Sequence, residues 1–313
     1  MTNAPHMLEV GGEDGVFLVI HGGAGRRVHE MSEERRAETD AALHAALEAG
    51  YAKLAAGEPA LEAVVAAIHV MEDAPCFNAG RGAALTLDGR AEMDSCVVLG
   101  DGSTGAACGL TTARHPIDVA RAVMERTPHV LFAEPSAEQL DEWGIEQVPN
   151  DYFVTDARRA ALEEFKRGLA VGGAAQADPR HGTIGAVARD RDGRVAAGTS
   201  TGGITGQQPG RVGDSPICGA GTYANQSSVA VSCTGTGEKF IQEVAAYQVH
   251  ARVALGGQTP LEAARAMLEG VEDRGGDGGV IVLPARGRAV VGFNDGAQMN
   301  YGWAYGSERV THE

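Results

Sequence analysis

Residues 171–182 read VGGAAQADPRHG, and residues 183–189 continue as TIGAVAR. The first segment is small, polar and glycine-rich, a composition typical of an exposed linker. The second segment alternates small and β-branched residues, which indicates a strand. Because the composition changes abruptly at Thr183, we predict a boundary in the chain between Gly182 and Thr183.

Strands joined by tight turns dominate the rest of the pattern. Residues 183–189 and 194–200 flank an Arg-Asp-Gly turn, and residues 83–87 and 91–98 flank Asp88-Gly89, so both pairs are predicted hairpins. The apolar run 16–20 is predicted to be a buried strand that ends in a flexible loop, HGGAG. Helical patterns, the first capped by Ser32 and stopped by Gly57, cover residues 32–57, 59–71, 116–125, 156–169, 238–254 and 260–271. Hairpins favour an α+β fold with largely antiparallel sheets that are covered by grouped helices.

Charge and cysteine content exclude several classes of partner. The chain has 313 residues with 26 Lys+Arg against 42 Asp+Glu, a net charge of -16, which repels nucleic acid and anionic lipid. The five cysteines are odd in number and show no Cys-x-x-Cys spacing, as expected of free thiols in a reducing compartment. No signal-peptide pattern and no apolar run of roughly 18 residues is present. We therefore expect a soluble cytoplasmic protein without nucleic-acid or membrane partners.

A threonine that backbone cleavage places at a chain start can act as its own catalytic pair. Its hydroxyl is the nucleophile, and its α-amino group, with a reference pKa of about 7.7–8.0, is the base. Gly182 suits such a cleavage because it has no Cβ and tolerates strained backbone. The dipeptide Gly-Thr also occurs at three other places, so the position of Thr183 between linker and strand carries the prediction. His181 is a second candidate base, or simply a solvated linker histidine.

Two later loops carry groups suited to an amino-acid substrate. Residues 209–216, PGRVGDSP, bring Arg211 and Asp214 into one loop, where they could clamp an α-carboxylate and an α-ammonium group. The alternative is a surface ion pair. Residues 233–238, CTGTGE, follow a strand and precede a helix, so Thr234 and Gly235 could form an oxyanion site or merely a tight turn.

Taken in order, these segments resemble the plant-type L-asparaginases, also called isoaspartyl peptidases, of the N-terminal nucleophile hydrolase superfamily. The matching segments are HGGAG (21–25), FNAGRG (77–82), MDS (93–95), GTIGAV (182–187), TSTGG (199–203), GRVGDSP (210–216) and CTGTG (233–237). The resemblance implies an αββα four-layer sandwich in one structural domain. It also implies self-cleavage into an α chain, residues 1–182 with the linker 171–182 at its end, and a β chain, residues 183–313. Two such pairs are expected to form a dimer of αβ heterodimers.

The resemblance also assigns an activity and its residues. It implies hydrolysis of L-asparagine to aspartate and ammonia, or removal of β-aspartyl residues from dipeptides, through a covalent β-aspartyl-threonine. Thr183 would be the nucleophile with Thr201 beside it, and Thr234 and Gly235 would stabilise the oxyanion. Arg211 would bind the substrate carboxylate, and Asp214 and Gly237 would hold its ammonium group, with Gly235 also lining the substrate site. Asn78 would order the nucleophile.

No cofactor is implied for the reaction, but a structural sodium ion is. Its ligands would be backbone carbonyl groups in the loop 71–81, namely those of Met71, Glu72, Ala74, Phe77, Ala79 and Arg81. One departure from the family pattern lies after Gly203, where relatives commonly have Asn-Lys and this chain has Gly206-Gln207. The departure leaves the shape of the pocket and the choice between asparagine and β-aspartyl peptides open.

Three alternatives remain. A glycosylasparaginase shares the threonine chemistry, but that group typically carries aspartate where this chain has Gly182. A nucleotide-binding protein is suggested by residues 219–224, GAGTYA, although neither a strand nor a helix pattern flanks them as such a motif requires. A precursor that never matures would act only as a binding scaffold.

Overall fold

The computed structural model describes residues 4–25, 32–170, 182–294 and 297–312. Most of the predicted linker, residues 171–181 with His181, lies outside the described residues. Two β-sheets stack face to face, and helices cover both outer surfaces. The described chain therefore forms the four layers of an αββα sandwich, as predicted.

The sheets are almost entirely antiparallel. The larger sheet contains, in spatial order, β13 (Glu308–His312), β12 (Gln298–Tyr305), β2 (Phe17–Gly25), β6 (Ile184–Arg189), β7 (Val195–Thr201), β3 (Met93–Leu99), β4 (Thr104–Leu110) and β5 (Leu131–Ala133). The smaller sheet contains β1 (His6–Val10), β11 (Ala289–Phe293), β10 (Gly278–Pro284), β9 (Val229–Gly235) and β8 (Thr222–Ala224). Among the strand pairs of the described residues, only β4 and β5 are parallel. The prediction of largely antiparallel sheets is thus confirmed.

The helices divide between the two outer faces. The larger sheet is covered by α1 (Glu33–Ala56), α2 (Ala60–Asp73) and α3 (Pro116–Arg126), and the smaller sheet by α6 (Gly237–Glu243), α7 (Ala245–Ala254) and α8 (Pro260–Asp273). Between these groups lie α4 (Ala137–Glu142), a 3-10 turn (Asn150–Tyr152) and α5 (Asp156–Ala170). As predicted, the Ser32 side chain caps α1 by accepting from the Arg35 N–H, and left-handed Gly57 ends it. No helix in the described ranges is long and apolar enough to span a bilayer.

Strand β2 shows how the layers are held together. Leu18 and Ile20 pack against the helices α1 and α2, whereas Phe17 and Val19 point into the space between the two sheets, and all four side chains are fully buried. A strand buried on both faces needs apolar residues at every position, which explains the uninterrupted run. Each such side chain contributes roughly 1.5–3 kcal/mol by leaving water.

Three predicted features are wrong in detail. The HGGAG segment continues β2 instead of forming a loop, because β12 pairs along it and β6 pairs with its first residue, His21. The hairpin around Asp88-Gly89 is reduced to a turn with a single bridge between Leu85 and Ala91. The helix predicted over 238–254 is broken at Val244, whose φ of 51° is left-handed.

Candidate active site

The hairpin of β6 and β7 brings two threonines together. Thr183 directly precedes β6 and Thr201 ends β7; since these strands are antiparallel, the start of one lies beside the end of the other. The Thr183 hydroxyl donates to Oγ1 of Thr201 over 3.0 Å. The same Thr201 oxygen accepts from the Gly203 N–H at 3.1 Å. Both threonine side chains are thereby fixed at the edge of the buried sheet.

A third threonine reaches this point from the other sheet. Thr234, near the end of β9, accepts from the N–H of Thr183 at 3.3 Å and from the N–H of Ala24 at 3.2 Å. A hydroxyl that already accepts two hydrogen bonds still has its own proton to donate. Thr234 therefore holds the nitrogen of Thr183 and offers a donor beside it.

Strand β2 passes unusually close to the peptide bond between Gly182 and Thr183. Gly23 has a φ of 108°, and a Cβ on it would lie 2.5 Å from the Gly182 Cα and 3.1 Å from the Thr183 nitrogen. Only glycine combines this backbone conformation with this approach. The peptide bond between Gly182 and Thr183 therefore faces only backbone on the β2 side. The Gly182 carbonyl carbon can become tetrahedral without moving a side chain of β2.

Asn78 connects the residues that follow Thr201 to its own loop. Its amide nitrogen donates to the Gly203 carbonyl at 2.7 Å, and its amide oxygen accepts from the Ala84 N–H at 2.7 Å. Its backbone carbonyl accepts from the Gly202 N–H at 2.9 Å. Asn78 therefore fixes the turn that follows Thr201.

His21 lies behind the threonines and is not available as a cation. Its Nε2 is 2.9 Å from the Ser232 hydroxyl, and the ring is completely buried. Burial lowers the pKa of His21 to about 3, although a hydrogen bond with the Thr183 backbone opposes that shift. The His21 imidazole is therefore neutral near pH 7.

Most of the predicted catalytic and binding residues open into one depression, and buried Thr234 contacts it through Thr183. The depression is lined by Gly182, Thr183, Thr201, Gly203, Ile204, Arg211, Gly213, Asp214, Ser215 and Gly235. Gly237 is adjacent, since a Cβ there would lie 2.9 Å from Oδ1 of Asp214 and 3.0 Å from Nη2 of Arg211. The structure thus brings together every predicted catalytic and substrate-binding residue.

Arg211 and Asp214 do not form the surface ion pair that was the alternative to a substrate clamp. Arg211 donates from Nε and Nη2 to Oε1 of Glu238, at 3.0 and 2.9 Å, and its Nη1 is 3.5 Å from Oε1 of Gln207. Asp214 is buried, and its Oδ2 has no hydrogen-bond partner among the described residues. Burial raises the pKa of Asp214 to about 7, which the positive charge of Arg211 opposes. A buried acid without a partner is costly unless a cation joins it.

Gly206 and Gln207, where the chain departs from the family pattern, form a compact turn beside Arg211. Gly206 has a φ of 75°, and a Cβ on it would meet the Phe165 ring at 2.2 Å, so α5 packs directly against this glycine. The buried Gln207 side chain accepts from the Ile204 N–H at 3.0 Å. A neutral amide oxygen therefore lies next to the guanidinium group, where relatives commonly have a lysine.

Three acidic residues near Arg211 were missed by the sequence analysis: Glu92, Asp94 and Glu238. Asp94 gave a signal, because a carboxylate within a buried strand is unusual. Glu238 had none, since an acid in the first turn of a helix is ordinary.

Comparison with known proteins agrees with this geometry. Residues 14–312 match the profile of the family described as asparaginase. The isoaspartyl peptidases of Salmonella typhimurium and Escherichia coli are 44% and 43% identical to the chain, over 94% of it and 96% and 94% of their own lengths. The isoaspartyl peptidase/L-asparaginase of Homo sapiens is 38% identical over 87% of each chain. The chain therefore belongs to the asparaginase family of N-terminal nucleophile hydrolases.

Proposed function

We propose that this chain cleaves itself between Gly182 and Thr183 and then hydrolyses the side-chain amide of L-asparagine or the isopeptide bond of β-aspartyl dipeptides. One observation carries the proposal: the Thr183 hydroxyl contacts Thr201 while its nitrogen is held by Thr234, in the depression that Arg211 and Asp214 line. The names of the relatives, isoaspartyl peptidase and isoaspartyl peptidase/L-asparaginase, support the same reaction class.

Self-cleavage uses the hydroxyl of Thr183 on its own preceding peptide bond. The oxygen attacks the Gly182 carbonyl carbon, the bond from that carbon to the Thr183 nitrogen breaks, and an ester replaces the amide. Water then hydrolyses the ester, which leaves a carboxylate on Gly182 and a free amine on Thr183. The lack of side chains at Gly182 and Gly23 gives the carbonyl room to become tetrahedral.

Turnover repeats this chemistry on a substrate amide. The freed amine takes the proton of the Thr183 hydroxyl, and the oxygen attacks the side-chain carbonyl carbon of the substrate. The Thr234 hydroxyl and the backbone at Gly235 stabilise the oxyanion, and the departing amine takes up the proton. Water hydrolyses the resulting β-aspartyl ester on Thr183 and releases aspartate.

Substrate recognition follows from the two unlike charges of the depression. Arg211 has donors for the α-carboxylate of the substrate, and its bonds to Glu238 fix the plane of the guanidinium group. Asp214 supplies the buried negative charge that an α-ammonium group neutralises. A substrate with both charges on one carbon therefore matches the site, as asparagine and β-aspartyl peptides do.

Gln207 provides a test of the carboxylate end of this site. In Gln207→Glu, a carboxylate takes the place of the amide oxygen beside Arg211, neutralises the guanidinium and repels the substrate carboxylate. We expect KM to rise about tenfold or more, as for loss of one charge-assisted hydrogen bond. The matched control is Gln208→Glu, the same charge change at an exposed neighbour, which should leave KM within about twofold. Equal KM values for both variants would contradict the placement of Gln207.

The proposed function is tested on the purified full chain. Denaturing gels and N-terminal sequencing should find a fragment that begins Thr-Ile-Gly-Ala. Ammonia release from L-asparagine and aspartate release from β-aspartyl-leucine should be measured side by side, with a glycosylated asparagine as the competing substrate. A chain that stays whole and inactive after long incubation overturns the proposal, and turnover of the glycosylated substrate alone would favour glycosylasparaginase. A nucleotide site has no structural support, because residues 219–224 lead into strand β8 instead of a helix.

We further propose a structural sodium ion in the loop 71–81, bound by the backbone carbonyls of Met71, Glu72, Ala74, Phe77, Ala79 and Arg81. Carbonyl oxygens lie close to the glycines of this loop: a Cβ on Gly80 would lie 2.3 Å from the Glu72 oxygen, and one on Gly82 would lie 2.8 Å from the Phe77 oxygen. Such hard neutral oxygens suit an alkali cation. The ion would stiffen the loop that carries Asn78 and would take no part in the reaction.

Replacing sodium chloride by choline chloride at equal ionic strength should lower Tm. We expect a fall of roughly 1–2 °C, the shift that about 1 kcal/mol of ligand stabilisation produces in a chain of this size. Scanning calorimetry checks this, and an identical Tm in both salts would remove the sodium ion from the proposal.

We also propose that the cleaved protein forms a dimer of αβ heterodimers and works in the cytoplasm. Helix α7 and its ends expose large apolar side chains, those of Val244, Tyr247 and Leu255. Apolar groups exposed together are typical of an association surface. Five free cysteines support a reducing compartment.

A further inference from the structure

One buried carboxylate beside the depression has no part in the reaction described above. Asp94 lies in β3, is only 3% exposed, and accepts from the Gly109 N–H at 3.0 Å. Burial raises its pKa to about 7, and hydrogen bonds from the Gly109 and Gly213 backbones together with the charge of Arg211 oppose that shift. Asp94 thus faces the segment that carries Arg211, which we call the clamp loop, residues 208–214.

The clamp loop is attached to the start of β3 and to the residue before it, on both sides of Arg211. Before the arginine, the Gly210 N–H donates to Oε2 of Glu92 at 2.8 Å. After it, the Gly213 backbone interacts with the Asp94 carboxylate. The Arg211 guanidinium group lies close to Gly213, since a Cβ on Gly213 would be 3.1 Å from its Nη1. Glu92, which directly precedes β3, and Asp94 within β3 therefore hold the loop on either side of its functional residue.

The same strand is in register with the nucleophile. Asp94 pairs with Thr201 across β3 and β7, and Thr201 accepts the hydrogen bond of the Thr183 hydroxyl. The clamp loop itself lies outside both sheets; its turn, closed by the Arg211 N–H bond to the Gln208 carbonyl at 3.0 Å, fixes the shape of the loop but not its place against the sheets. Asp94 connects the rigid frame of the nucleophile to this loop.

We propose that Asp94, assisted by Glu92, is a positioning residue that sets the place of Arg211 relative to Thr183 and so determines how well the α-carboxylate of the substrate binds. The inference rests on the proposed function, because it presumes the clamp and the threonine nucleophile. After cleavage the two acids belong to the α chain and the clamp loop to the β chain. Substrate binding would then depend on the fragment that has no catalytic threonine.

Asp94→Asn tests this most directly, because it keeps the shape of the side chain and one acceptor oxygen but removes the charge. On fully cleaved protein we expect KM to rise about tenfold while kcat stays within about twofold, since the loop moves and the nucleophile does not. Glu92→Gln should change KM in the same direction by a smaller factor, about threefold, because Glu92 is only half-buried. This second variant decides the matter if Asp94→Asn fails to fold.

The matched control is Asp190→Asn. Asp190 is a buried aspartate that accepts from the N–H groups of Asp192 and Arg194 at 2.9 and 3.0 Å, and it follows β6 at the end opposite Thr183. Losing its charge should lower Tm but leave KM unchanged, which separates a general loss of stability from a loss of positioning.

The outcomes are distinct. Wild-type protein that neither cleaves nor hydrolyses would overturn the proposed function and this inference with it. If the wild type is active and both variants keep the wild-type KM, only the role of Asp94 and Glu92 is refuted. A fall in kcat at unchanged KM would also refute it, since Asp94 would then act on the threonines and not on the clamp loop.

Discussion

Changing Thr183 to alanine is expected to give a protein that neither divides its own chain nor turns over substrate. The substitution removes the only atom that the proposed reaction uses as nucleophile, both for the Gly182 carbonyl and for the substrate. Without cleavage, the nitrogen of residue 183 also remains an amide and cannot act as a base. We expect the rate of hydrolysis to fall by at least about 10⁴-fold. Gel electrophoresis and ammonia release measure the two losses separately.

Thr183→Ser is the matched partner of that variant. It retains the hydroxyl that donates to Thr201 and the nitrogen that Thr234 holds, and it loses only a methyl group. Slow but complete cleavage and measurable turnover are expected. Substantial hydrolysis by the alanine variant would show that another residue is the nucleophile.

Changing Arg211 to alanine is expected to weaken substrate binding without affecting self-cleavage. The guanidinium makes its hydrogen bonds with Glu238 and Gln207, and it has no bond to Gly182 or Thr183 among the described contacts. A lost charge-assisted hydrogen bond costs about 1.5–3 kcal/mol, so loss of a bidentate contact should raise KM by roughly 10²-fold or more. Steady-state kinetics and a gel of the same preparation measure both effects.

Arg194→Ala is a suitable control for that experiment. Arg194 is an exposed arginine that pairs with Asp192 at 2.9 Å in the turn between β6 and β7. Its loss removes the same charge and should leave KM nearly unchanged. An Arg211→Ala enzyme with the KM of this control would remove Arg211 from the clamp.

Local patterns predicted the parts of the site that lie close together in the sequence. The turn at residues 191–193 joins two strands of matching length, so an antiparallel hairpin necessarily places Thr183 beside Thr201. The spacing of Arg211 and Asp214 likewise placed two opposite charges in one loop. In both cases the chemistry depends on neighbours within about twenty residues of the chain.

The remaining contacts depend on how distant segments meet. Thr234 reaches Thr183 only because β9 packs across β6 and β7, a face-to-face arrangement that no local pattern contains. The HGGAG segment is a strand although its glycines favour a loop, because the distant strand β12 pairs along it and supplies hydrogen-bond partners. Asp94 and the clamp loop are more than a hundred residues apart in the chain, so their contact could not be deduced from spacing.

The order of strands in the larger sheet has a consequence for the cleaved molecule. Segments from before and after Thr183 alternate across it: β2 is sandwiched between β12 and β6, and β7 pairs with β3. In the smaller sheet, β1 pairs with β11 in the same interleaved way. The two fragments of the proposed cleavage would thus share both sheets, so a cut after Gly182 would free an amine while strands of each fragment stay hydrogen-bonded to strands of the other.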